Sequence, residues 1–263
     1  MATRAARPIE YPSSDGKPMA ETDVHRRLLF AVVPRLDEFF RARADVYVSG
    51  NLLVYYVEGD PHKVLAPDCF VAFGIPKGDR ETFRTWDEGT FPAVVIEFTS
   101  KTTAGEDLET KFRVYRDIWK VKEYFLFDPR DEYLDPSLQG YRRRGSELRP
   151  IRAVNDVLEC RTLGVTLERD GQDLLLRDAA TGKVLLTADE RATLEERGRT
   201  DLERRRADRE KKRAEEEKKR AEEEKKRAEA EKKRADAEAS GRQAAEAELA
   251  RLRVELDILR KGR

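Results

Sequence analysis

Between Glu21 and Phe39, apolar side chains recur at Val24, Leu28, Leu29, Val32, Leu36 and Phe39, a spacing that predicts an amphipathic helix with a kink at Pro34. The pattern then changes period. Val46-Tyr47-Val48 and the run from Leu52 to Val57 are rich in β-branched and aromatic residues and flank Ser49-Gly50-Asn51, which predicts a hairpin. Two apolar runs follow, Cys69-Phe70-Val71-Ala72-Phe73 and Pro92 to Phe98, separated by a loop of glycine, proline and charge from Gly74 to Phe91. After them, Thr102 to Gly105 can cap a helix from about Glu106 to Trp119, with Leu108, Phe112, Tyr115 and Trp119 on one face. Glu123 to Pro129 reads as another buried strand ended by a turn. Strand, helix, strand is the order of a βαβ crossover, so the expected fold is α/β, a mixed β-sheet core flanked by helices. Short β-like pieces from Tyr133 to Leu186, with turns at Asp170-Gly171 and Thr181-Gly182, are expected as antiparallel additions beside that sheet.

From Leu202 the period becomes seven, with Ala207, Ala214, Ala221, Ala228 and Ala235 set among blocks such as Glu215-Glu216-Glu217-Lys218-Lys219-Arg220. Acids placed four residues before bases, as in Glu215 with Lys219, support an isolated helix by about 0.2–0.5 kcal/mol per pair. The partner seam at Glu210, Glu217, Glu224 and Glu231 is too polar for a strong coiled coil. Nearer the end, Ala245, Leu249, Leu252, Leu256 and Leu259 follow a 4-3-4-3 spacing, the mark of a short zipper. The expectation is a long C-terminal α-helix, coiled-coil-like, spanning on the order of 100 Å. It would serve either homodimer formation or as a solvated spacer. The predicted organisation is an N-terminal arm at 1–20, with a turn at Asp15-Gly16, a folded domain at 21–187 and the charged helix at 188–263.

Composition narrows the functional classes. Charged residues make up 40% of the chain, against about a quarter in ordinary proteins. From Asp189 onward there are 25 basic and 22 acidic residues, leaving 28 basic and 31 acidic residues before it. Both parts are near neutral, so no global basic field marks a nucleic-acid binder and any phosphate contact must be local. Cys69 and Cys160 have no metal-ligand spacing and read as core residues of a reducing compartment. With no apolar run near 18 residues and no signal-like segment behind Met1, a soluble cytoplasmic protein without membrane contact is expected.

Two acids stand out against this background. Glu97 lies inside the apolar run Pro92 to Phe98, and Asp68 opens the run Cys69 to Phe73. An ionised carboxylate without a partner in an apolar setting costs several kcal/mol or more, so each calls for a metal, a base or a proton. At the ends of adjacent strands the two could share one divalent cation, Mg²⁺ or Mn²⁺, with room left for water and a phosphate oxygen. Each also has a purely structural reading: Asp68 after Pro67 as a turn cap, Glu97 as the partner of a core arginine. Lys101 and Lys111 compete to supply an amine. Lys101 falls in what reads as a loop, whereas Lys111 sits about 60° from the centre of its helix face, where it must snorkel or meet an acid. His25 reads as a helix-surface or core residue, although four residues after Glu21 it could face the same site. Arg142-Arg143-Arg144 is a candidate phosphate grip, although such runs are usually only solvated.

The ordered set Asp15 to His25 (DGKPMAETDVH), Pro67-Asp68, Trp86-Asp87-Glu88-Gly89, Val95-Ile96-Glu97-Phe98-Thr99-Ser100-Lys101-Thr102, Asp107-Leu108 with Lys111 and Tyr115, and Glu123 to Pro129 resembles the Uma-two family of restriction endonucleases. The resemblance covers roughly residues 9–190 and implies membership of the PD-(D/E)XK nuclease superfamily, to which that family belongs. It implies a restriction-endonuclease-like fold, with Asp68 as the motif aspartate, Glu97 as the acid of the (D/E)XK element and Glu21 as the acid of the first helix. The position two after Glu97 is Thr99 instead of lysine, and the family pattern supplies the amine from the next helix, at Lys111. The implied activity is Mg²⁺-dependent (or Mn²⁺-dependent) endonucleolytic hydrolysis of DNA phosphodiester bonds, with catalytic Asp68, Glu97, Lys111 and Glu21 and metal ligands Asp68 and Glu97. The alternative is a weak or inactive nuclease-like module that binds nucleic acid or protein, tethered by the helix.

Overall fold

The computed structural model describes residues 9–14, 22–100 and 105–261, with the side chains of 106–108 and 255–261 outside the description. The chain divides into two units, Met1–Ala192 and Thr193–Arg263. In the first unit, helix α1 (Asp23–Phe39) starts at Thr22, whose hydroxyl accepts the His25 N–H at 3.2 Å. Its Leu28, Leu29, Val32 and Leu36 are buried, as their spacing predicts, and the helix runs through Pro34 as one element.

The strands that follow are β1 (Val46–Ser49), β2 (Val54–Tyr55), β3 (Val64–Leu65), β4 (Cys69–Phe73), β5 (Phe83–Arg84), β6 (Val94–Phe98), β7 (Glu123–Phe127), β8 (Leu138–Arg144) and β9 (Glu147–Pro150), with the short helix α2 (Thr85–Glu88) after β5. The main sheet has the order β1-β4-β6-β7-β8-β9. Only the β6–β7 pair in it is parallel, and the helical crossover expected around Glu97 joins those two strands. The hairpin expected at Ser49-Gly50-Asn51 does not form. β1 pairs with β4, while β2 pairs with β3 and β5 in a separate three-stranded sheet. The reason is local crowding: a Cβ on Gly50 would fall 2.2 Å from the Asp68 carbonyl oxygen and 2.7 Å from Val33 Cγ2. Only glycine lets the chain pass so close to another backbone, and Asn51, at φ 53°, then turns it to bond the Pro67 carbonyl at 2.7 Å.

The two faces of the sheet bury different cores. Val94, Ile96, Phe98, Phe125 and Phe127 point to the side covered by α1 and by the sheet of β10 (Val157–Cys160), β11 (Val165–Asp170) and β12 (Asp173–Asp178). Val95, Tyr124 and Leu126 point to the side of Tyr115 and Trp119. This alternation of period two is why both runs read as continuously apolar. The helix between β6 and β7 departs from expectation, because Glu106–Lys111 and Val114–Ile118 are π-helical, with i→i+5 bonding in place of ordinary α-helical turns.

Two further buried acids hold the framework together. Glu123 accepts from Arg142 Nε and Thr162 N, both at 2.7 Å, and from Cys160 Sγ at 3.2 Å. Burial pushes its pKa up, but these donors outweigh burial and hold it below the ordinary value. Asp128 gathers the backbone N–H groups of Arg130, Asp131, Glu132, Tyr133 and Leu134 and is likewise held low against the upward push of burial. Both cysteines are free and buried, and burial raises both thiols, consistent with unreactive core residues.

Helix α3 (Ala188–Lys261) opens with a capping box: the Thr187 hydroxyl accepts the Glu190 N–H at 3.2 Å and the Glu190 carboxylate accepts the Thr187 N–H at 2.8 Å. The described residues of the second unit are exposed, including Leu249, Leu252 and Val254. Among the described residues, no helix is long and apolar enough to cross a membrane.

Candidate active site

The antiparallel register of β4 and β6 sets Cys69 against Ile96, and one step further places Asp68 against Glu97. Like charges directly opposite on neighbouring strands repel. Here each acid is tied to the other's strand. Asp68 Oδ2 accepts the Phe98 N–H at 2.7 Å, and Glu97 Oε2 accepts the Asp68 N–H at 3.3 Å. The reciprocal bonds fix both carboxylates where the two strands meet.

The remaining partners come from two helices. The His25 ring, on α1, donates through Nε2 to Asp68 Oδ1 at 2.8 Å. From the π-helical crossover, Lys111 Nζ donates to Glu97 Oε2 at 3.1 Å and the Tyr115 hydroxyl donates to Glu97 Oε1 at 2.6 Å. Burial is graded: the Glu97 side chain is 0% exposed, while those of Asp68, Lys111 and His25 are 10–11% exposed. Glu97 therefore lies at the bottom of the cluster, with the aspartate, amine and imidazole between it and solvent. Thr99 extends the parallel ladder, its N–H bonding the Phe127 carbonyl at 2.8 Å, so its side chain shares the Glu97 face. Its hydroxyl is buried and, among the described residues, has no hydrogen-bond partner.

Three of the four residues singled out in the sequence, Asp68, Glu97 and Lys111, are thus brought together, and the fourth, Glu21, lies outside the described residues, as does Lys101. The sequence raises His25, four residues after Glu21, as able to face the site, and names Tyr115 only beside Lys111 in the family pattern; the structure gives each a contact, His25 with Asp68 and Tyr115 with Glu97. The arginine triplet takes another part. Arg142 is held by Glu123, and Arg143 bonds the backbone carbonyls of Arg116, Lys120, Val121 and Ser146, so these two clamp strand ends.

Among the described residues, no group of three or more His, Cys, Asp or Glu side chains is arranged to hold a metal ion. The donors present nevertheless fit a hard divalent cation of the Mg²⁺ class, which takes one or two carboxylates and keeps several waters. Asp68 and Glu97 supply the carboxylates, and the unsatisfied Thr99 hydroxyl offers a polar contact on the Glu97 face.

A family model described as "Putative restriction endonuclease", Uma2, matches residues 4–170. A crystal structure of a "putative nuclease" from Anabaena variabilis is similar at 16% identity and a TM-score of 0.38, over 57% of this chain and 81% of that one. No curated protein matches the chain.

Proposed function

Because the chain belongs to the Uma2 family, we propose that residues 21–187 form a metal-dependent endonuclease that hydrolyses DNA phosphodiester bonds at Asp68, Glu97 and Lys111. The observation that carries this reading is the pairing of two buried carboxylates on adjacent strands with a lysine amine 3.1 Å from one of them. Asp68 and Glu97 would hold Mg²⁺ or Mn²⁺, and a bound ion of that class supplies a more acidic water and neutralises charge on the phosphate. Lys111, anchored on Glu97, offers a cation that holds a phosphate oxygen or orients the attacking water. Tyr115 fixes the Glu97 carboxylate, and His25 fixes Asp68, as partners behind a ligand set commonly do. Glu21, two residues before α1, is assigned as a further acid of the site on the strength of the family pattern.

The helix after Thr193 would join two copies through the zipper at Ala245, Leu249, Leu252, Leu256 and Leu259, of which Leu249 and Leu252 are each more than half exposed. A cytoplasmic setting suits the two free thiols.

The test is cleavage of supercoiled plasmid by the full chain with Mg²⁺ or Mn²⁺, repeated with Asp68→Ala and Glu97→Ala variants whose circular dichroism matches the parent. Loss of cleavage in both supports the site. Cleavage at the parent rate in either removes it. A parent that binds DNA without cutting under any divalent ion favours the binding-module alternative.

A further inference from the structure

Away from the paired acids, an open groove of about 840 Å³ runs between β8–β9 and β10–β11. Its lining includes Arg142, Arg144, Arg149, Arg152 and Arg161, with Glu159 as the one acid. Glu159 is already committed, at 2.7 Å from Arg161 and 3.9 Å from Arg142, and Arg142 also holds Glu123. Glu147 stands opposite Arg144 in the ladder, yet lies 3.9 Å from Arg116. Among the described residues, Arg144, Arg149 and Arg152 therefore have no ion-pair partner, and all three are exposed.

The register adds a second observation. Arg142, already paired with Glu123, stands directly opposite Arg149 on β8 and β9, so the ladder sets no acid across from Arg149. Arg143, on the other face, is spent on backbone carbonyls and does not line the groove. The basic residues are all arginine, whose planar fork grips phosphate oxygens in pairs. Exposed Val154, with Ile151 and Val157, adds an apolar floor against which sugars can rest.

We infer that this groove binds the sugar-phosphate backbone of DNA through Arg144, Arg149 and Arg152, as a contact separate from the hydrolytic site. The inference rests on the nuclease reading for its choice of polyanion. The separation follows from the sheet. Arg142 pairs with Glu123 at the start of β7 on the face covered by β10, whereas Glu97 is level with Leu126 near the far end and meets Tyr115 on the opposite face. The groove therefore contributes affinity and orientation of the duplex without touching the reacting phosphate.

The test measures binding of the full chain to a short fluorescein-labelled DNA duplex by anisotropy, in EDTA, across a salt series. Each phosphate contact adds about 0.9 to the slope of log affinity against log salt, so an Arg144→Gln, Arg149→Gln, Arg152→Gln triple variant should lower that slope by about 2.7. Between about 50 and 200 mM salt the parent should then lose roughly 40-fold more affinity than the variant. A triple lysine variant, which keeps the charge, should restore the parental slope and guards against misfolding of the glutamine form. An unchanged slope in the glutamine variant overturns the proposal, and so does equal binding of polyglutamate, which would mark an acidic protein partner instead. A Glu97→Gln variant separates the two readings: parental binding without cleavage supports both, while a groove-dependent slope in a parent that never cleaves keeps the groove and removes the hydrolase.

Discussion

Replacing Tyr115 with phenylalanine removes one oxygen and leaves the packing in place, because the ring is 0% exposed and sits 4.9 Å from Trp119 and 5.1 Å from Tyr124, centroid to centroid. The lost atom donates to Glu97 Oε1 at 2.6 Å, at a side chain that is itself 0% exposed. A hydrogen bond to a charged group contributes about 1.5–3 kcal/mol, whereas one between neutral groups contributes about 0.5–1.5 kcal/mol. Tyr115→Phe should therefore destabilise the first unit by about 1.5–3 kcal/mol in the parent and by about 1 kcal/mol less in a Glu97→Gln background. Urea unfolding followed by tryptophan fluorescence reads this unit alone, since both tryptophans, Trp86 and Trp119, lie within Met1–Ala192. Equal destabilisation in the two backgrounds would refute the reasoning, because it would mean that the hydroxyl acts on something other than the Glu97 charge. The same variant should retain cleavage at a reduced rate, as expected of a residue that positions a carboxylate without touching the substrate.

Glu123→Gln should cost about 3–5 kcal/mol in urea unfolding, because it sets an amide among donors only and strands a partly buried Arg142; a loss below about 1 kcal/mol would contradict that. Glu123 and Asp128 are both held below their ordinary pKa, so their contribution to stability is complete above the unfolded values, about 4.3 and 3.9, and is lost as pH falls through the lower folded values. Stability measured from pH 5 downward should fall less steeply in Asp128→Asn than in the parent, and parallel curves would remove Asp128 from the account. Removing residues 245–263 should halve the molar mass seen by light scattering, while an unchanged mass rejects the zipper. Finally, Lys111→Met should abolish cleavage and adding Thr99→Lys should restore part of it, because residue 99 shares the Glu97 face; a folded double variant with no recovery would show that the amine must come from the helix.

Local pattern predicted the fold well where one face of an element is buried against one partner. The stripe of α1 and the parallel β6–β7 pair follow from periodicity and element order. The pairing of β1 did not, because Ser49-Gly50-Asn51 has hairpin chemistry while the decisive constraint, the approach of Gly50 to the Asp68 carbonyl and to Val33, joins residues far apart in sequence. The π-helical turns after Gly105 were equally hidden: a hydrophobic stripe at Phe112, Tyr115 and Trp119 is compatible with either winding over so short a span.

The site divides along the same physical line. Asp68 and Glu97 were conspicuous because an acid in an apolar strand is a local anomaly, and Lys111 because a lysine at the edge of a buried helical stripe is another. Tyr115 was no anomaly, since an aromatic on the apolar face of a helix is ordinary, and His25 drew notice only from standing four residues after Glu21, beside an equally open reading as a surface or core residue. Their polar ends acquire meaning only from the carboxylates that the fold sets before them, 2.8 Å and 2.6 Å away. The arginines divide in the same manner. Of the triplet Arg142-Arg143-Arg144, read as a phosphate grip or a solvated run, the first two turn out to be occupied by Glu123 and by carbonyl groups; among the described residues this leaves Arg144, with Arg149 and Arg152, without an acid, spread over β8, β9 and the segment that follows. A run of like charges in sequence identifies a place where charge is concentrated; which of its members remain available for a ligand is decided by the acids and carbonyls that the strands bring opposite.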